Sequence, residues 1–156
     1  MTDDVEMHIK TVRDSFFNEI WNEKIFATAK KIFTDDFITE SIGLEPSNWA
    51  STHGTGPGSM KHHIEWWLQI IPDAKMQVID IAATGNNVIT NWELRGTMRG
   101  EIFGVSPTNK EVHIFGCTVS IFKDDKIWLN KTMFDRLGFF QQIEVLPSTE
   151  AILKQE

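Results

Sequence analysis

The sequence predicts an α+β domain: three N-terminal helices packed on a curved antiparallel four-stranded sheet, giving a cone-shaped α+β barrel. Two observations carry this. Apolar residues recur at helical spacing up to Pro72, and from Met76 onward they alternate. Two turn signals, Gly85-Asn86-Asn87 and Asp124-Asp125, then fold the alternating half into hairpins. A chain of 156 residues is enough for one domain with its own core. No repeat or linker divides it, so residues 1–156 form one unit, with a core over about 5–146 and a polar C-terminal tail.

The elements follow in order. Val5, Ile9, Val12, Phe16 and Ile20 share a helical face, with Thr2 or Asp3 placed to cap it, and this first helix ends near Trp21-Asn22. Ile25, Phe26, Ala29, Ile32 and Phe33 mark a shorter second helix. Residues 37–58 are rich in Ser, Thr, Gly and Pro and predict a long loop, of the kind that serves as a lid. Ser59 is placed to cap a third helix, whose Met60, Ile64, Trp67, Leu68 and Ile71 share a face and which Pro72 stops. All helices are expected before that proline. Residues 76–83 and 88–98 are the first pair of strands, and 111–122 and 127–135 the second. A loop with Gly104 and Pro107 lies between the pairs, and a short amphipathic stretch follows Arg136.

Composition narrows the function. Eleven Phe and six Trp but no Tyr supply wide apolar rings without phenol hydroxyls, which suits a core or an apolar pocket. The net charge is −7 and the basic residues are scattered, so nucleic acid is not an expected partner. Cys117 is the single cysteine, which excludes an internal disulfide and a multi-cysteine zinc site; its mid-strand place marks a small core residue. No signal peptide appears, and no apolar stretch approaches the roughly 20 residues of a membrane helix. A cytoplasmic protein without a membrane partner is expected. Gly54, Gly56 and Gly58 lack the strand and the lysine of a phosphate loop.

The segment Gly96 to Val112, GTMRGEIFGVSPTNKEV, resembles the GTHxGxxxGxxPTGxxV run of SnoaL-like polyketide cyclases and the broader ester cyclase group. Trp21-Asn22, Asp36-Phe37 and Pro72-Asp73 stand at the family's spacing. The stretch from Asp135 to Gln142 resembles its D-x-L-G ending, and the likeness covers roughly residues 5 to 146. It implies a nuclear-transport-factor-2-like, cystatin-like fold, commonly dimeric, and aldol ring closure without metal or cofactor. An aspartate at the position of Asp135 is the family's acid/base residue. The chain departs from the pattern at Met98, where relatives carry His, and at Asn109, Leu129 and Lys131.

Asp135 also has a case of its own. It ends a strand among Met133, Phe134, Leu137, Phe139 and Phe140, and partial desolvation there would favour proton transfer. The alternative is an aspartate capping the following turn. His113 is a weaker catalytic candidate. If Asp124-Asp125 is a two-residue turn, Phe122 faces Ile127 and Ile114 falls opposite Asp135, which sends His113 to the other sheet face. Candidate ligand-binding residues are Trp92, Met98, Phe115, Lys131 and Met133 on the strands. Trp66, at the cavity mouth or an interface, and His53 in the loop join them. His62 and His63 diverge by about 100° on a helix, so with Glu65 they describe a solvated polar face and no metal site is expected. The strand 111–122 is apolar on both faces (Ile114 and Phe122; Phe115, Val119 and Ile121), which predicts a homodimer through the outer sheet face.

Overall fold

The computed structural model describes residues 3–41 and 54–154. The first helix forms as predicted. α1 (Asp3–Lys10) continues through Thr11–Asn22 in a wider, π-type winding, in which Glu23 N–H bonds the Asn18 carbonyl five residues back. That winding buries the adjacent pairs Phe16 with Phe17 and Ile20 with Trp21. His8 is buried too, stacked on Phe122 with ring centroids 3.9 Å apart. At the far end Asn22 imitates a neighbouring strand. Its amide donates to the Met76 carbonyl at 2.8 Å, and its oxygen accepts Met76 N–H at 2.9 Å.

The second helix is shorter than its spacing suggests. A 3₁₀ turn, Phe26–Thr28, leads into α2 (Ala29–Ile32), while Ile25 is exposed. Phe33 opens a strand instead, β1 (Phe33–Ser41), so the predicted loop begins with sheet and there are five strands, not four. The pair Asp35-Asp36 has low strand propensity, and an irregular register between Phe33 and Ile38 breaks the alternation that would have revealed it. α3 (Pro57–Ile70) is capped by Gly56 rather than Ser59, whose hydroxyl donates to the Gly56 carbonyl at 2.7 Å. Two short helices, α4 (Arg136–Gln142) and α5 (Thr149–Leu153), come after the sheet, correcting the expectation that every helix precedes Pro72.

The sheet runs β1-β5-β4-β3-β2, with β2 (Lys75–Thr84), β3 (Asn87–Thr97), β4 (Glu111–Lys123) and β5 (Lys126–Phe134) antiparallel and β1 parallel to β5. Val88, Trp92, Leu94, Ile114, Phe122 and Ile127 meet the helices in one core on the inner face. Asp73 pins the start of β2 to the end of β3, accepting Thr97 N–H at 2.7 Å and the Thr97 hydroxyl at 2.9 Å. Among the described residues no helix is long and apolar enough to cross a membrane.

Both hairpins turn where predicted, but the second carries a bulge. Phe122 faces Ile127, and the next pair is Ile121 with Leu129, leaving Trp128 as the extra residue. Without it Asp135 would stand opposite Ile114. With it Gly116 pairs with Phe134, and Asp135 N–H bonds the Phe115 carbonyl at 3.0 Å. A one-residue slip exchanges the faces of a strand. Asn130, Thr132 and Phe134 therefore turn inward, while Lys131, Met133 and Asp135 turn outward.

Candidate functional site

Between the Thr11–Asn22 helix, α3 and the inner sheet face lies a cavity of about 50 Å³, room for roughly four waters. Its walls are apolar: Phe16, Phe17 and Trp21 from the first helix, Met60 and Trp67 from α3, and Leu94, Ile114 and Phe134 from the sheet. Thr39, Thr118, Asn130 and Thr132 make one side polar. Among the described lining residues there is no Asp, Glu, Lys or Arg, and His63 is the one with an imidazole.

The polar side is ordered by the ladder. Trp92 N–H donates to Thr118 Oγ1 at 2.9 Å, and the Thr118 and Thr132 hydroxyls stand 3.0 Å apart. Trp92 can lie flat here because its ladder partner is Gly116; a Cβ at that position would come 2.2 Å from Trp92 Cζ2. Asn130 is 1% exposed, and neither its Nδ2 nor its Oδ1 has a hydrogen-bond partner. His63 meets the Trp21 indole edge to face, with centroids 6.0 Å apart.

The predicted site residues are not gathered in this cavity. Trp92 lines it. Asp135 does not. Its carboxylate is exposed and caps α4, accepting Gly138 N–H at 2.8 Å, so the expected desolvation is corrected and the capping alternative describes what the side chain does. Gly138 serves that cap, since a Cβ there would come 2.1 Å from Asp135 Oδ2. Asp135, Phe115 and Met133 instead border a shallow cleft on the outer sheet face, where Phe115 and Met133 are about half exposed. Lys131 and Cys117 are half-buried on that same face, which corrects the core placement of Cys117. Met98 is fully buried at the end of β3 and accepts the Thr108 hydroxyl at its sulfur. Trp66 packs against Trp67 and Phe103 beside the cavity rather than lining it. His53 lies outside the described residues.

His113 points outward, as the alternation required, and its Nε2 sits 2.6 Å from Glu93. Glu93 also binds Arg95 at 3.1 Å. The Arg95 guanidinium first, and then His113, hold the Glu93 carboxyl below its usual range. Thr97 N–H does the same for Asp73. Asp73, Arg95 and His113 border a shallow charged cleft on the sheet end, not the cavity. His63, assigned to a solvated helix face from sequence, is the correction that matters most: it faces inward. Asn130 carried no signal beyond its place two residues from Thr132 on one strand face. Among the described residues no three His, Cys, Asp or Glu side chains gather where they could hold a metal ion.

A protein assigned as a SnoaL-like polyketide cyclase from Jannaschia sp. CCS1 superposes with a TM-score of 0.79 at 17% identity, covering 94% of this chain and 98% of that one. A protein assigned as a polyketide cyclase from Acidithiobacillus ferrooxidans gives 0.72 at 22%, covering 93% and 99%. An LEH-like epoxide hydrolase from M. tuberculosis gives 0.65 at 19%, covering 91% and 92%. At these identities the likeness shows the shared fold, and that fold hosts more than one reaction. Cyanobacterial phytochrome B from Nostoc sp. (strain PCC 7120 / SAG 25.82 / UTEX 2576) is 30% identical over 117 residues, 72% of this chain but 14% of the phytochrome. The family model described as SnoaL-like polyketide cyclase matches residues 11–143, and the chain belongs to that family.

Proposed function

We propose that the chain is a cofactor-independent enzyme of the cyclase or isomerase kind, moving a proton on a compact, neutral, mostly apolar carbonyl compound held in the cavity. The lining supports this best: aromatic and aliphatic walls, one side of hydroxyls and an amide, no charged residue among those described, and one imidazole. A hydrogen between two carbonyls is acidic enough for a single positioned base, and one beside a lone carbonyl becomes so when donors stabilise its enolate oxygen, so the chemistry asks for no cofactor. His63 takes that proton, the enolate carbon attacks a second carbonyl carbon, and the imidazolium returns the proton to the new alkoxide. All atoms of the substrate are kept. The Thr118–Thr132 hydroxyl pair and the Asn130 amide can donate to the oxygen that gains charge.

The family resemblance gives the acid/base role to Asp135. Its exposed place on the other sheet face supports His63 instead. The test is the cyclisation of 2,6-heptanedione to 3-hydroxy-3-methylcyclohexanone, followed for the wild type, His63→Gln and Asp135→Asn. Turnover should fall by at least ~10²-fold in His63→Gln and stay within a few-fold in Asp135→Asn. The opposite pattern in folded variants returns the role to Asp135.

A second reading is a ligand-binding module without turnover. It is supported by the lack of a carboxylate among the described lining residues, and by the likeness to a small part of a much longer protein. Binding without turnover in the same assay would favour it. In either case we propose a homodimer through the outer sheet face, where Ile79, Ile89, Phe115 and Met133 are all exposed.

A further inference from the structure

We infer that Asn130 is a ligand anchor, gripping a neutral group that offers a hydrogen-bond donor and an acceptor side by side, such as a lactam or a hydroxyl next to a carbonyl. The inference rests on the cavity being the ligand site. Asn130 pairs across the ladder with Thr39 on one side and Ser120 on the other. Both polar atoms of its side chain are buried without a partner, as is Ser120 Oγ. A side-chain amide carries two N–H donors and an acceptor oxygen, and burying them unmet weakens the fold. Leucine has the same shape and no such demand. An amide kept in this position is explained by something that enters and meets it.

The neighbouring hydroxyls sharpen the class. Trp92 N–H, Thr118 O–H and Thr132 O–H are three donors. Trp92 N–H and one hydroxyl hydrogen are used within the chain Trp92–Thr118–Thr132, whichever hydroxyl donates, so one hydroxyl hydrogen is left for a ligand oxygen. Thr132 lies two residues from Asn130 on the same inward face of β5. Apart from His63 the described lining holds no ionisable side chain, which favours a neutral occupant. The void of about 50 Å³ is smaller than the roughly 150 Å³ of a cavity that takes up benzene, so a six-membered ring enters by displacing side chains that line it.

Two rings of equal size separate the possibilities: δ-valerolactam, with N–H beside C=O, and cyclohexanone, which only accepts. Each is titrated into the full chain while the side-chain amide signals of Asn130 are followed by ¹⁵N NMR. We expect the lactam to bind at least ~10-fold tighter than the ketone and to move the Asn130 signals more. Asn130→Leu should lose that preference and should melt no lower than the wild type. A preference that survives in Asn130→Leu, or a variant that melts several degrees lower, would overturn the anchor. If Asn130→Leu does not fold, the wild-type amide signals decide, and their failure to respond to bound lactam counts against the anchor. Equal binding of both rings sinks the anchor alone. Binding of neither ring sinks the cavity reading beneath it.

Discussion

Gly116→Ala should destabilise the protein through Trp92. The added methyl would stand 2.2 Å from Trp92 Cζ2, 2.4 Å from Cη2 and 2.6 Å from Cε2, against the roughly 3.5–4 Å at which carbon atoms rest. The indole is 6% exposed and fixed by its bond to Thr118, so it has little room to swing. Overpacking of this kind costs about 1–3 kcal/mol, offset by about 0.5–1 kcal/mol gained when Gly in a strand becomes Ala. At mid-range, about 2 less about 0.75, the net loss is about 1 kcal/mol, which for a domain of this size lowers Tm by about 2–4 °C. Urea denaturation of four proteins tests it: wild type, Gly116→Ala, Trp92→Phe and the double variant. Trp92→Phe removes Cζ2 and Cη2, so in that background Gly116→Ala should cost less than about 0.5 kcal/mol, a coupling of about 1 kcal/mol. A Gly116→Ala protein as stable as wild type, or additive effects in the double variant, would refute the packing described here.

Asp135→Ala should cost about 1 kcal/mol and loosen α4, seen as faster exchange of the Gly138 amide, while Asp135→Asn should leave both unchanged; equal stability of all three would remove the cap. The carboxyls of Glu93 and Asp73 are held below their usual range when folded. Groups depressed in this way stabilise above their unfolded pKa and lose that contribution as pH falls through the folded value. Melting scans from pH 6 to pH 2 should therefore show an acid limb that begins near the ordinary carboxylate range of about 4 and is shallower in Asp73→Asn and Glu93→Gln; limbs that superpose would contradict this. On the outer face, Phe115→Glu with Met133→Lys should convert the proposed homodimer to monomer by light scattering, and a wild type that is monomeric at micromolar concentration would end that proposal.

The first helix, the Pro57–Ile70 helix, the two hairpins and the outward aim of His113 were all legible in the sequence, because each rests on a local period or turn. What was not legible depends on contacts distant in the chain. β1 pairs with β5 some ninety residues later, and its Asp-Asp run gives no strand signal of its own. The bulge at Trp128 has no mark in the turn sequence, and it alone decides which half of β5 faces the cavity. Counting from the turn without it places Lys131, Met133 and Asp135 inside. Counting with it places Asn130 and Thr132 there. The family's motifs were found, yet several have structural duties: Asn22 clamps β2, Asp73 ties β2 to β3, and Asp135 with Gly138 caps α4. Adjacent polar residues on α3 looked like one solvated face, but only packing shows that His63 turns in.

The central claim is that ligand is taken up on the inner sheet face and not on the outer face that carries Asp135. The methionines report on both. Met60 and Met76 line the cavity, and Met133 borders the outer cleft with Asp135. With ¹³C-methyl methionine labelling, a titration with cyclohexanone or δ-valerolactam should shift the Met60 and Met76 signals saturably and leave Met133 in place. Saturable movement of Met133 with Met60 and Met76 unmoved would contradict the account.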